Sequence, residues 1–246
     1  MVGQLGKDGN NMTEEQLFHQ ERQNTGTSWT RNEFFEKNGY LVIKNLWNAE
    51  ELYRHVPEER GQINYWGKKL DQFTYQELEA QVEGSFSCYG HPQYRSIHSQ
   101  IRLKLEKELR RKLYNTYYYD RFYFPGQELT KHADRDACEI SVTVHISTNL
   151  KEPWPIWIKT PDTYADKNKT VISKRGENRS VILSAGDGMI YKGCERPHWR
   201  EPMPTEYKRT WYGKRVEKEG LYYHQIFFHY VLADGIRSHC ANDMAR

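Results

Sequence analysis

The chain has 246 residues, of which 37% are hydrophobic, 28% charged and 14% aromatic. So high an aromatic share excludes a disordered chain, and the length suits a single all-β domain. The formal net charge of +3 is small and no long Lys/Arg block occurs, so charge gives no reason to expect a nucleic-acid binder.

Residues 1–27 are rich in Gly, Asn, Gln and Thr. They are expected to form a flexible tail with a short helix around Glu14 to Gln20. One domain is expected over 28–246, divided into a helix-rich N-terminal support (28–116), a β core (117–235) and a C-terminal tail (236–246). Thr30 can cap a short helix that Gly39 ends. "YLVIKNL" (Tyr40 to Leu46) follows as a strand, and Asn48 can cap a second helix from Ala49. Residues 98–115 carry Leu at helical spacing amid mixed charge, which predicts a long amphipathic helix. Its "KLEKELRRK" stretch reads as a solvated face.

From Tyr117 the pattern turns to strands: "YYYDRFYF", "CEISVTVHIS", "WPIWIK", "RSVILS", "GMIYKG", "HWRE" and "YYHQIFFHYVL". Pro125-Gly126, a loop "KTPDTYADKNKT" and Ala185-Gly186-Asp187-Gly188 separate several of them. Many short strands without helices between them predict a mainly β fold with flanking helices, an antiparallel sandwich or jelly roll. "KRTWYGKRVEKEG" (208–220) reads as an exposed basic insertion before the last strand.

Cys88, Cys138, Cys194 and Cys240 have no CxxC spacing, which excludes a zinc knuckle and a thioredoxin-like motif. There is no apolar signal segment and no apolar run long enough to cross a bilayer. A soluble cytoplasmic protein with free thiols and no membrane partner is expected. The N-x-[ST] sequons at Asn11, Asn168 and Asn178 are then coincidental.

The most informative stretch is "RFYFPGQELTKHADRDACEISVTVHI" (Arg121 to Ile146). In extended chain, residues two apart point the same way, so His132 and Asp134 can reach one point in space. Two histidines and one carboxylate on one face hold Fe(II) in non-haem oxygenases. "SAGDGMIYKGCERPHWREP" supplies a second histidine, His198, behind a turn and a strand. Asp136 is an alternative carboxylate, but its spacing from His132 suits a solvated loop acid. His145 competes as ligand. Ser141, Thr143 and His145 share one face of their strand, so it also reads as a pocket residue. His224 and His229, on the last strand, read as core or pocket residues.

From about Ser28 onward the chain resembles the Fe(II)- and 2-oxoglutarate-dependent dioxygenases, in the style of their prolyl 4-hydroxylase-like and phytanoyl-CoA dioxygenase-like branches. The resemblance lies in "EFFEKNGYLVIKNLWNAEEL", "FYFPGQELTKHADRD" and "GDGMIYKGCERPHWREP". It implies a double-stranded β-helix of the cupin-like kind, and a catalytic metal site in which His132, Asp134 and His198 bind Fe(II). It also implies 2-oxoglutarate as cosubstrate, with ascorbate as a supporting reductant. The reaction implied is hydroxylation of a C–H bond of a peptidyl prolyl, another amino-acid residue or a small metabolite. The carboxylate of Asp134 favours hydroxylation over halogenation.

By the same resemblance Tyr123, nine residues before His132, hydrogen-bonds 2-oxoglutarate; the alternative is a core aromatic. A cation about ten residues beyond the distal histidine holds the cosubstrate in many relatives. Here that position is Lys208, inside the basic insertion, and the last strand has neither Arg nor Lys. Arg200 shares a face with His198, and its planar fork suits a carboxylate. Lys159 is the other candidate, and Arg200 could instead pair with Glu195 or Glu201. Nucleic acid is not expected as a partner, because no basic stripe interleaved with aromatics stands out. The reading from a different class is a non-enzymatic jelly-roll module that binds a small ligand or carbohydrate.

Overall fold

The computed structural model describes residues 30–56, 81–167 and 170–243. The expected tail, its helix at Glu14 to Gln20, and the sequons at Asn11 and Asn168 lie outside the described residues. Thr30 forms a capping box with Glu33 ahead of α1 (Arg31–Asn38), and Gly39, at φ 76°, closes the helix with its N–H on the Phe35 carbonyl. A left-handed residue costs glycine least. β1 (Tyr40–Ile43) is shorter than the expected Tyr40 to Leu46, because the chain turns at Asn45 with φ 50°. Asn48 caps the single-turn helix α2 (Ala49–Leu52), and β2 (Phe86–Tyr89) follows.

Helix α3 (Arg95–Leu109) ends six residues before the expected 115. Arg110 turns left-handed there, and the chain continues as β3 (Leu113–Tyr123), which starts four residues before Tyr117. The remaining core strands are β4 (Leu129–His132), β5 (Ile140–Thr148) and β6 (Ile156–Lys159). After them come a hairpin of β7 (Thr163–Lys167) and β8 (Thr170–Lys174), then β9 (Asn178–Val181), β10 (Gly188–Tyr191) and β11 (His198–Arg200). A second hairpin of β12 (Tyr207–Arg209) and β13 (Arg215–Glu217) precedes β14 (Tyr223–Leu232).

One sheet has the order β1-β10-β5-β14-β3-β2 and the other β4-β11-β6-β9. Eight strands therefore wind between two antiparallel sheets in the order β3, β4, β5, β6, β9, β10, β11, β14. This is a double-stranded β-helix, the jelly roll that the strand pattern leads one to expect. On the outer face of the larger sheet, Val142, Val144, Phe228 and Tyr230 share one hydrophobic cluster with Ile97, Ile101 and Leu105 of α3. Alternation turns the other set of side chains inward. That inward set is polar: Arg121 on β3, Ser141, Thr143 and His145 on β5, Gln225 and His229 on β14, all buried.

Two segments differ from expectation. "KTPDTYADKNKT" contributes β7 and the start of β8 in place of a loop. The C-terminal segment is held down through 243 by Arg237 Nε to Asp136 Oδ1 (2.9 Å), Arg135 Nη1 to Asp243 Oδ2 (2.7 Å) and Asn242 N to the Asn115 carbonyl (2.8 Å). The 208–220 insertion is exposed, as expected, and folds as the β12–β13 hairpin. Folding brings exposed Tyr207, Trp211 and Tyr212 beside Lys208, Arg209, Lys214 and Arg215. This local mixture of basic and aromatic residues is contiguous in the sequence, from Tyr207 to Arg215. Among the described residues no disulfide is formed. Among the described residues no helix is long and apolar enough to cross a membrane.

The turn before β10 is held by a buried carboxylate. Asp187 Oδ1 accepts from the Asn45 N–H (3.0 Å), while Oδ2 accepts from the Ser184 N–H (2.9 Å) and Lys44 Nζ (2.8 Å). Beside it Gly186 has φ 87°, and a Cβ there would stand 2.5 Å from the Trp47 carbonyl oxygen. Asp187→Ala leaves two backbone donors without their acceptor. It is expected to destabilise the fold by about 2–4 kcal/mol, read from urea unfolding, with Asp187→Asn costing less.

Candidate metal centre

β4 and β11 pair antiparallel with His132 opposite His198. Two residues beyond His132, the Asp134 N–H donates to the Gly193 carbonyl at 2.9 Å, which turns that carboxylate toward both rings. His132 Nε2 lies 3.4 Å and His198 Nε2 3.5 Å from Asp134 Oδ1. The ligand atoms of the three residues all fall within 4.8 Å of one another.

Both imidazoles are oriented by the same local device. His132 Nδ1 donates to the Thr130 carbonyl (2.8 Å) and His198 Nδ1 to the Arg196 carbonyl (3.0 Å), each two residues back. With its proton on Nδ1, a neutral ring presents a lone pair on Nε2, the form a metal needs. Gln81 Nε2 donates to His132 Nε2 at 2.8 Å, in keeping with that tautomer. Asp134 Oδ2 accepts from Ser141 Oγ at 2.9 Å, which leaves Oδ1 facing the histidines. Gly193 makes room for this arrangement: a Cβ there would stand 2.5 Å from Asp134 Oδ2 and 2.6 Å from Ser141 Oγ. Two neutral imidazoles and one carboxylate on one face fit Fe(II) or a similar divalent ion.

Without a metal and with both rings protonated, burial raises the Asp134 pKa but the His198 charge and Nε2–H bonds from both histidines outweigh it and hold the carboxyl well below its usual range; a bound metal would take the place of those two protons. Burial lowers that of His132, yet hydrogen bonds to Asp134 and Thr130 leave it above its ordinary value. Asp134, Cys138 and His229 form a second cluster of ligand atoms within 4.8 Å. Burial pushes the Cys138 thiol far up in the metal-free protein, and its Sγ lies 3.2 Å from the Tyr117 hydroxyl.

Arg200 is buried on the same inward face as His198. Its Nη1 donates to the Trp154 carbonyl (2.6 Å), and its Nη2 to Gln225 Oε1 (2.7 Å) and Tyr223 OH (3.2 Å). It pairs with neither Glu195 nor Glu201. Its Nε is buried without a partner, as are Thr143 Oγ1, His145 Nε2 and Gln225 Nε2 nearby. Tyr123 is buried in the same corner, edge-on to Trp154, and its hydroxyl accepts from Arg121 Nη1 at 3.2 Å.

Lys159 is not brought to the site. Ile156 and Ile158 take the inward positions of β6, so Lys159 points outward and pairs with Asp162 at 3.4 Å. Lys208 lies on the exposed hairpin. His145 is not with the triad: its Nδ1 donates to the Leu183 carbonyl and its ring stacks on Tyr223 at 4.3 Å. His224 pairs with Asp120 at 2.8 Å on the other side of the sheet, and Asp136 is an exposed partner of Arg237. Ser141 and Gln81 carry no local sequence signal for their contacts with the triad. Gln225 does carry one, as an uncharged polar residue inside an apolar strand.

Burial lowers His145 and His229 to about 4 and His98 to about 3. Unfolded histidine titrates at about 6.5, so below that pH the unfolded chain binds more protons than the folded one. The metal-free protein should therefore lose stability steeply as the pH falls from about 6.5 toward 4. The upward shift of His132 works the opposite way, giving stability present at low pH and lost as pH rises, but it is one histidine against four, because burial lowers His224 as well. Urea midpoints across this range check the slope; a flat profile would contradict it.

No protein-family model and no curated protein matches the sequence. Among solved structures the chain is similar to a prolyl-4-hydroxylase from Pseudomonas putida, at 14% identity over 79% of this chain and 94% of that one, with a TM-score of 0.47. It is also similar to a prolyl hydroxylase from Trichoplax adhaerens in complex with a hypoxia inducible factor oxygen degradation domain peptide fragment, at 12% identity, 89% and 94% coverage and a TM-score of 0.49. A third is a 2OG-Fe(II) oxygenase family oxidoreductase from Burkholderia pseudomallei, at 9% identity, 93% and 96% coverage and a TM-score of 0.48. The likeness is one of fold alone, and the double-stranded β-helix stands on the chain's own strand order.

Proposed function

We propose that the chain is a non-haem Fe(II)- and 2-oxoglutarate-dependent oxygenase that hydroxylates a C–H bond. The observation that carries this reading is the convergence of His132 Nε2 and His198 Nε2 on Asp134 Oδ1, at 3.4 and 3.5 Å, beside a polar chamber. Fe(II) held by these three atoms would supply the redox chemistry that couples decarboxylation of 2-oxoglutarate to oxidation of the acceptor.

The chain's own residues bind and shield. Arg200 is a buried cation with no ion pair among the described residues. A buried charge calls for a counterion, and a carboxylate is the one its geometry suits. Arg200 lies two residues along β11 from His198. That is an advance of about 6.6 Å, a span that a five-carbon dicarboxylate can bridge between metal and guanidinium. The amide N–H of Gln225 and the hydroxyl of Thr143 are further donors for its far carboxylate. Tyr123, Trp154 and Tyr223 wall this corner against water; the Arg200 guanidinium lies 4.5 Å from the ring centres of both Trp154 and Tyr223.

Mixing the protein anaerobically with Fe(II) and 2-oxoglutarate should give a weak visible charge-transfer band, and adding oxygen should give succinate. His132→Ala, Asp134→Ala and His198→Ala should each abolish both. Acceptors to screen for stimulation of succinate formation are prolyl peptides, peptides with other target residues, and small metabolites. Absence of both band and succinate in the wild-type protein would favour a ligand-binding module.

A separate expectation concerns Arg200. Arg200→Ala should weaken the apparent binding of 2-oxoglutarate by about 2–4 kcal/mol, roughly 30- to 900-fold, with iron affinity little changed. A wild-type 2-oxoglutarate requirement in Arg200→Ala would remove it as the anchor.

A further inference from the structure

The inner face of the larger sheet reaches the metal centre at one point. Ser141 Oγ lies 2.9 Å from Asp134 Oδ2 and 3.0 Å from His229 Nδ1, and 3.2 Å from the Cys138 carbonyl. Ser141 is fully buried and His229 is 3% exposed. The serine comes from β5 and the histidine from β14, opposite each other in the sheet register. Asp134 belongs to the segment after β4, in the other sheet. The three side chains therefore join the two sheets at the ligand carboxylate.

Counting protons gives the direction of this chain. A serine hydroxyl has one proton. If His229 carried its proton on Nε2, Nδ1 would draw the serine proton, and Asp134 Oδ2 would lose its donor. If His229 carries it on Nδ1, that N–H donates to Ser141 Oγ and the serine proton is free for the Asp134 carboxylate (2.9 Å) or the longer contact to the Cys138 carbonyl (3.2 Å). A hydrogen bond to a charged acceptor is the stronger kind, so the second arrangement is favoured. It also leaves His229 Nε2 as a bare lone pair, consistent with that atom being buried without a partner. The ring is clamped by stacking on Tyr117 at 4.6 Å and Tyr119 at 5.9 Å.

We infer that Ser141 and His229 are positioning residues for the metal centre: the run His229 Nδ1–H to Ser141 Oγ–H to Asp134 Oδ2 fixes the carboxylate rotamer, reserves Oδ2, and presents Oδ1 alone to the metal. The inference rests on the reading of His132, Asp134 and His198 as metal ligands. Neither residue is one of the three ligands proposed for the metal. Gly193 is part of the device, because a Cβ at that position would intrude on both Oδ2 and Ser141 Oγ. Partners that orient a ligating carboxylate commonly change metal affinity about 10- to 100-fold when removed.

The test uses the full chain and Co(II), which needs no oxygen or cosubstrate for its readout. Ser141→Ala should bind Co(II) 10- to 100-fold more weakly than wild type and show altered Co(II) absorption bands, because the freed carboxylate can turn and offer both oxygens. Ser141→Thr restores the hydroxyl and should recover most of the affinity and the wild-type bands. His229→Asn keeps an N–H donor at the Nδ1 position and should stay near wild type, whereas His229→Phe keeps the stacking and should behave like Ser141→Ala. Wild-type Co(II) affinity and bands in Ser141→Ala would overturn the inference. So would His229→Phe and His229→Asn that are indistinguishable from each other, or a loss of affinity in Ser141→Ala matched by an equal loss of stability in the metal-free protein. A wild-type chain that binds no Co(II) would overturn the metal centre itself and this inference with it.

Discussion

The antiparallel register of β4 against β11 puts His132 directly opposite His198, and the geometry of the site follows from that pairing. Each histidine returns its Nδ1 proton to a carbonyl two residues earlier in its own chain segment, so both rings are aimed by backbone that the sheet already holds. A one-residue slip would turn one ring to the outer face and its neighbour inward. Asp134 completes the set only because its own N–H is tied to Gly193 in the turn that leads into β11. Three side chains from distant parts of the sequence thus inherit their accuracy from strand pairing and not from contacts among themselves.

The polar interior has a cost that the rest of the fold offsets. Arg121, Arg200, Gln225, Ser141, Thr143 and His145 are all buried between the sheets. An ordinary sandwich would fill that space with aliphatic side chains. Here the main apolar layer lies on the outer face of the larger sheet, where α3 packs with Ile97, Ile101 and Leu105. The helix and strands of the N-terminal half are thereby structural partners of the barrel, supplying burial that its interior gives up. Aromatic rings occupy much of the remaining interior, and their faces carry the guanidinium of Arg200.

Much of the site is legible in the sequence because it is encoded by local periodicity. His132 with Asp134, and His198 with Arg200, are pairs two residues apart in extended chain, and alternation alone puts each pair on one face. The same rule sends Lys159 outward once Ile156 and Ile158 are placed inward, and the choice between Lys159 and Arg200 becomes visible only with the register of β6. Ser141 and Gln81 were not legible as partners of the triad. Their contacts span seven and 51 residues of sequence, across a turn or between sheets, with no periodic pattern linking them. Helix and hairpin boundaries escaped for a different reason. Arg110 ends α3 in a left-handed conformation that its residue type does not advertise, and the polar composition of β7 is equally that of a loop.

The two hairpins are spliced into the chain between core strands, β7–β8 between β6 and β9, and β12–β13 between β11 and β14. At the tip of the second, Gly213 has φ 85° and open space where a side chain would be. Chain added at such a tip lengthens a closed loop, and the entropic penalty grows only logarithmically with length. Neither His198 nor Tyr223, which bracket the excursion, would need to move. The barrel thus has a position at which whole segments can be gained or lost, altering the surface of the molecule while the arrangement of side chains inside stays as it is.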